Sequence, residues 1–397
     1  MTDSRVPHRL VIASVVMLAR IAGATAVEPK IIYGDDDRQE VADITDPGVR
    51  MASNAVALIV DHANLTGCSP DGTRCTLLTE PYDHPLDPLC PDEPFRDQST
   101  AGFCTGFLVA PDLMATAGHC IAAETCAATA FVFGFAIRDA NAVATTVDLE
   151  TFHCTNVTAR VLDPVTGADF AVVRLDRPAE GRSPLAVRTS GTVAVDTLVL
   201  ALGYPSTLPL KVVAGARVRA LDSTFFEVDL DTYGGNSGSP VIAADSLDVV
   251  GIVVRGNADF VFDQGAECRR SNRCDQDGCA GSFEQATYAH LLGPSLATIP
   301  VPTDDHCSPD AVLPCGVDVA ACRGDVLPPR FLRRVRRARL ALVRGMPARA
   351  GAFLERAAMT VRLAGIQGRL GYVCALRLAA AVQESESRLS RPSPPPV

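Results

Sequence analysis

Three strings occur in order along the chain: Thr116-Ala117-Gly118-His119-Cys120, Asp169-Phe170-Ala171-Val172-Val173 and Gly234-Gly235-Asn236-Ser237-Gly238-Ser239-Pro240. A serine hydroxyl is a weak nucleophile at neutral pH and needs an adjacent base to take its proton. An imidazole suits that task because its unperturbed pKa lies near working pH. A buried carboxylate on the other ring nitrogen fixes the tautomer. We expect His119 as base, Asp169 as its orienter and Ser237 as nucleophile, which is the equipment for acyl transfer.

The glycines around the serine serve the same chemistry. A tetrahedral intermediate carries an oxyanion that needs preorganised N–H donors. Two donors converge only where the backbone turns tightly with no Cβ in the way. The N–H groups of Gly235 and Ser237 are expected to form this oxyanion hole, with Gly234 and Gly238 permitting unusual dihedrals beside them. Each string alone also reads as a turn, a cap or a plain loop. All three in this order favour catalysis.

These residues resemble the chymotrypsin-like serine proteases, in the branch of the bacterial glutamyl endopeptidases. The segment Asp229-Leu230-Asp231-Thr232-Tyr233-Gly234-Gly235-Asn236-Ser237-Gly238-Ser239-Pro240-Val241 is similar to the nucleophile segment of that group. Ile31-Ile32-Tyr33-Gly34-Asp35-Asp36-Asp37-Arg38 resembles the start of its mature enzymes. The resemblance spans about residues 31 to 298. It implies an all-β domain of two antiparallel six-stranded barrels with the catalytic cleft between them. It also implies cleavage between Lys30 and Ile31, with the new α-amino group helping to order the specificity pocket. Cys104 and Cys120 flank two candidate strands joined at Pro111-Asp112, so they could meet across the ladder; the family often has a disulfide at this spacing.

The resemblance leaves the cleaved bond open. Asp231 stands six residues before Ser237, where trypsin-type relatives carry the aspartate that selects Lys or Arg, yet acid-selective relatives also have aspartate there. Thr232 matches a polar pocket position of the acid-selective group. That group carries a histidine after Gly-Ile in the pocket wall, whereas Gly251-Ile252 is followed here by Val253. Arg255, beside Gly256, offers a positive charge to the pocket or to solvent.

Composition sets the context. The 397 residues are 47% hydrophobic, enough for a sizeable core in two or three compact units. A net charge of −10 argues against a dedicated nucleic-acid binder. Fourteen cysteines suggest an oxidising compartment. Arg5, His8 and Arg9, the apolar run Leu10 to Leu18, and Ala24-Thr25-Ala26 read as a secretory signal peptide over 1–26. The protein is thus expected to be secreted or periplasmic, without an integral membrane segment after signal cleavage.

The remaining organisation follows from turn signals and periodicity. Residues 27–30 read as a pro-segment. Ten candidate strands lie between residues 55 and 254, with a first barrel over about 50–180 and a second over about 185–298. Glu284 to Leu292 reads as a short helix ended by Gly293-Pro294. Residues 62–102, with Cys68, Cys75 and Cys90, read as a disulfide-held loop bordering the cleft. Cys268, Cys274 and Cys279 beside Asp275 and Asp277 read as a stapled insertion, since zinc or calcium ligand patterns are incomplete. A Pro/Cys-rich linker spans 299–328. An Arg/Ala-rich helical extension follows over 329–397, including Arg333, Arg334, Arg336 and Arg337, with a disordered tail from Arg391. It reads as a solvated extension, ahead of a membrane-contacting helix.

The expected function is a secreted, monomeric serine endopeptidase acting on proteins or peptides, with no cofactor and no metal. The rival is a secreted pseudoprotease that binds a protein partner. An esterase of the common fold is disfavoured because the chain lacks a Gly-x-Ser-x-Gly elbow.

Overall fold

The computed structural model describes residues 32–274, Gly278, 282–297, 330–331, 333–334, 337–338 and 347–366. The expected signal peptide, pro-segment, linker and tail, together with Ile31, Asp275, Asp277, Cys279 and most of the extension, lie outside them.

Twelve strands build two closed barrels. The first comprises β1 (Val56–Asp61), β2 (Cys104–Ala110), β3 (Leu113–Thr116), β4 (Thr129–Phe133), β5 (Leu149–Leu162) and β6 (Asp169–Leu175). Their order is β4-β1-β2-β3-β6-β5, and β5 returns to pair with β4. The second comprises β7 (Leu198–Gly203), β8 (Lys211–Leu221), β9 (Phe225–Val228), β10 (Pro240–Ala243), β11 (Val249–Arg255) and β12 (Glu284–Tyr288). Here the order is β7-β10-β11-β12-β9-β8, closed by β8 on β7. Every neighbouring pair is antiparallel. Closure removes the free edges that an open sheet of such apolar strands would expose.

The apolar strings explain the elements. Val56 to Val60 is buried throughout, as are Ala171, Val172 and Val173. Pro111, which cannot donate to a ladder, ends β2 and turns the chain into β3. Helix α1 (Pro47–Ala52) starts where Asp46 accepts from the N–H groups of Gly48 and Val49, with proline at the first turn.

Two strands were not legible locally. Strand β5 carries register shifts between Cys154 and Asn156 and between Val157 and Ala159, which break its alternation. Glu284–Tyr288 is strand β12, not the start of a helix, because it closes the second barrel between β9 and β11. A 3-10 turn (Ala289–Leu292) follows, and Gly293-Pro294 opens helix α2 (Gly293–Ala297) instead of ending one. Further on, helix α3 (Pro347–Ile366) buries Leu354, Ala357, Ala358 and Val361, one stripe at helical spacing.

Disulfides tie the loops to the barrels. Cys68–Cys75 closes a short loop in the 62–102 insertion, and Cys126–Cys154 joins the approach to β4 to β5. Cys90–Cys268 fastens that insertion to a hairpin of the second barrel, Phe260–Asp263 with Cys268–Ser271. Cys104–Cys120 spans the β2–β3 hairpin.

Candidate active site

His119 follows β3 and Asp169 begins β6, the two strands that pair in the first barrel. Their side chains meet: His119 Nδ1 lies 2.7 Å from Asp169 Oδ2. The other carboxylate oxygen accepts the backbone N–H of His119 at 3.1 Å. Asp169 is 2% exposed, while the His119 side chain is 36% exposed. The carboxylate is therefore fixed and the imidazole keeps an open edge. Gly118 makes this approach possible, since a Cβ there would collide with the carbonyl oxygen of Val161 and press on Phe170 O and Asp169 Oδ1.

The serine loop comes from the second barrel, between β9 and β10, and docks on β2 through Thr105. The N–H of Thr105 donates to the Ser237 carbonyl at 2.8 Å, and its hydroxyl donates to the Gly235 carbonyl at 2.8 Å. Its own carbonyl accepts from the Thr116 hydroxyl at 2.7 Å. One buried threonine thus links the serine loop to the strand that ends three residues before His119. Sequence reading passed over Thr105 because a threonine in a strand carries no catalytic signal.

Gly235 and Gly238 have φ of 93° and 92°, the left-handed region that a side chain would strain. Among the described residues, the N–H groups of Gly235 and Ser237 donate to no group of the chain. Two backbone donors beside a serine, with no internal acceptor, can receive an oxyanion.

Specificity candidates separate into different roles. Asp231 accepts from the N–H groups of Tyr33 (2.9 Å) and Asp37 (2.8 Å), so its carboxylate anchors the N-terminal segment. Arg255 is held outside: its Nε donates to Gln285 Oε1 at 2.9 Å and its Nη2 to the Gly167 carbonyl at 2.7 Å. Val253 is buried in strand β11, pairing by backbone with Ser239 and Gly238 of the serine loop. Thr232 donates to Glu284 Oε2 at 2.8 Å, and a Cβ on Gly256 would overlap that same carboxylate. Glu284 was hidden in sequence by its reading as a helix start.

Three acids here share an electrostatic state. Burial pushes Asp231 up to about 7, Glu284 up to about 8 and Asp259 up to about 6. Asp259 accepts from the Gly234 N–H at 2.8 Å, beside the serine loop. A carboxyl whose folded pKa exceeds its unfolded value of about 4 keeps its proton on folding, so its stability contribution is complete at low pH. That contribution is lost as pH rises through the folded values. We expect the midpoint of urea unfolding to fall between about pH 5 and pH 8. A midpoint that rises across this window would contradict the assignment.

A metal does not fit the sulfur groups. Cys104, His119 and Cys120 lie together, but the two sulfurs are bonded to each other and offer no thiolate. Cys268 is bonded to Cys90, and Cys274 is also disulfide-bonded.

Two closed six-stranded antiparallel barrels with a His–Asp pair in one and a glycine-flanked serine loop in the other define the chymotrypsin fold. Residues 104–252 match the family model of the trypsin-like peptidase domain. The chain is similar to a Glu endopeptidase solved in complex with MPD, at 19% identity over 67% of this chain and 97% of that one, with a TM-score of 0.38. It is similar to the Vibrio cholerae VesB protease, at 14% identity over 65% and 67% of the two chains, with a TM-score of 0.40. It is also similar to human heparin binding protein, at 14% identity over 70% and 100%, with a TM-score of 0.41. No curated protein matches the chain. A peptidase domain implies peptide substrates. Among the described residues, no helix is long and apolar enough to cross a membrane.

Proposed function

We propose that the protein is a secreted serine endopeptidase, working as a monomer. Ser237 attacks the peptide carbonyl while His119 takes its proton, with Asp169 holding the imidazole in the required tautomer. The developing oxyanion accepts hydrogen bonds from the N–H groups of Gly235 and Ser237. The imidazolium then protonates the leaving amine, and a His119-activated water hydrolyses the acyl-enzyme.

The observation that carries this reading is the contact of His119 with the buried Asp169 carboxylate, together with two unengaged N–H donors at the serine loop. A binding module has no need to bury a carboxylate against an imidazole and leave both donors open. Secretion is supported by the disulfides and by the N-terminal charge and hydropathy pattern. The extension beyond residue 329 is proposed to be a mainly helical, solvated appendage.

A fluorophosphonate probe tests the chemistry. It should label the folded protein with a stoichiometry near one, and peptide mapping should place the adduct on Ser237. Folded protein that takes no label, or takes it on another serine, rejects the assignment and favours the pseudoprotease.

A further inference from the structure

We propose that Glu93, in the insertion between β1 and β2, is a positioning residue for acyl transfer: through Ser271 and Tyr233 it holds the turn that carries the oxyanion donors. The inference rests on the acyl-transfer reading above and adds to it a residue that touches none of the reacting atoms.

The contacts form one buried chain. The Tyr233 hydroxyl donates to Ser271 Oγ at 2.7 Å. The Ser271 hydroxyl donates in turn to Glu93 Oε2, and the Ser271 N–H donates to Glu93 Oε1 at 2.8 Å. All three residues are buried. Each hydroxyl has a single proton and both carboxylate oxygens accept, so donation runs one way, from the phenol to the acid. Tyr233 also opens the turn before the nucleophile. Its carbonyl accepts the Asn236 N–H at 2.9 Å, which encloses Gly235 and leads directly into Ser237. The hydrogen-bonded chain therefore ends on the turn whose N–H groups are to receive the oxyanion.

The far end of the chain is braced. The Cys90–Cys268 disulfide joins the two segments that carry Glu93 and Ser271. Around it, the Cys90 N–H donates to the Arg269 carbonyl and the Arg269 N–H to the Pro88 carbonyl, both at 2.8 Å. The Arg38 guanidinium lies 4.2 Å from the centroid of the Tyr233 ring and 5.2 Å from that of Phe95, which follows Glu93 closely. Phe95 has a φ of 63°, a left-handed conformation that costs a bulky residue and marks a segment held in place by its surroundings. The serine segment 229–241 itself contains no cysteine, so no disulfide fixes it. Its ties to the braced region are the Tyr233 hydroxyl and the Gly234 N–H, which donates to Asp259 beside the hairpin. Packing alone needs no acid here: burying a carboxylate and a phenol is costly, and a phenylalanine would fill the same space. What the polar chain adds is a fixed direction for the Tyr233 side chain, and with it the turn.

The test uses the full chain, a peptide amide found by library cleavage, and fluorophosphonate titration to count competent sites, so that misfolded protein does not enter the rates. Tyr233→Phe removes one oxygen. It should lower kcat per titrated site by about 10-fold and leave KM within about twofold, because the oxyanion contacts strengthen only in the transition state. Glu93→Gln should act through the same phenol. To keep the Ser271 N–H contact, its NH₂ must donate to Ser271 Oγ; the Ser271 proton then turns towards Tyr233, and the phenol proton is left without an acceptor. The loss should again be about 10-fold in kcat, and in the Tyr233→Phe background the same change should add less than about twofold. A residue that only stabilises the fold would change the titrated fraction and not the rate per site. Single variants with kcat per site within about twofold of the unsubstituted enzyme, or losses that multiply in the double variant, overturn the inference and leave the hydrolase standing. Should Glu93→Gln fail to fold, an unchanged kcat in Tyr233→Phe overturns it alone. Folded, unsubstituted protein that neither takes the label nor cleaves peptides overturns the acyl-transfer reading and this inference together.

Discussion

Asp169→Asn is expected to lower kcat by about 10⁴-fold with little change in KM or in the folded structure. The reason lies in two contacts of one side chain. Oδ1 accepts the His119 backbone N–H at 3.1 Å and Oδ2 faces the ring Nδ1 at 2.7 Å. Asparagine has only one oxygen. If that oxygen keeps the backbone contact, its NH₂ group faces Nδ1 and forces the proton onto Nε2. The ring then cannot take the Ser237 proton. Rotating the amide restores the tautomer but sets NH₂ against the His119 N–H, in a site that is 2% exposed. Both orientations are penalised. Steady-state kinetics with an active-site titration would measure the effect; a loss below about tenfold would argue that His119 is not the base.

Gly238→Ala is expected to destabilise the domain by about 4 kcal/mol or more and to abolish efficient acylation. Its φ of 92° already disfavours a side chain. The added Cβ would also overlap the carbonyl oxygen of Thr105 and the hydroxyl of Thr116, with Ala117 N at 3.1 Å. These are backbone and buried atoms at the seam between the barrels, so none can swing aside. Relief requires the serine loop to lift from β2, which would move the N–H donors beside Ser237. Gly181→Ala is the control, with a φ of 75° and open space around its Cβ position. It isolates the backbone strain, about 1 kcal/mol. Similar denaturation midpoints for the two variants would refute the claim that Gly238 is fixed by contact.

The pairing of His119 with Asp169 does not depend on their distance in sequence, which is 50 residues. It depends on β3 and β6 being neighbours, a consequence of barrel closure. The apolar runs announced most of those strands, because a strand buried on its inner face must alternate or stay apolar. Strand β5 escaped because its bulges shift the alternation midway. Strand β12 escaped because Glu284-Gln-Ala-Thr-Tyr carries a buried acid at its start, and only pairing with β9 and β11 makes it a strand.

By itself the sequence determined the chemical types and their immediate backbone settings: histidine after Gly118, aspartate ahead of an apolar strand, serine between glycines. These are local requirements, and local residues express them. The folding of the chain into two barrels decided the rest. It buried Thr105 where the serine loop meets β2, committed Asp231 to the N-terminal segment, tied Arg255 to Gly167 and set Glu284 behind Gly256. Each of those roles is fixed by a partner between 28 and 198 residues away, through burial, packing and hydrogen bonding that no short stretch of sequence encodes.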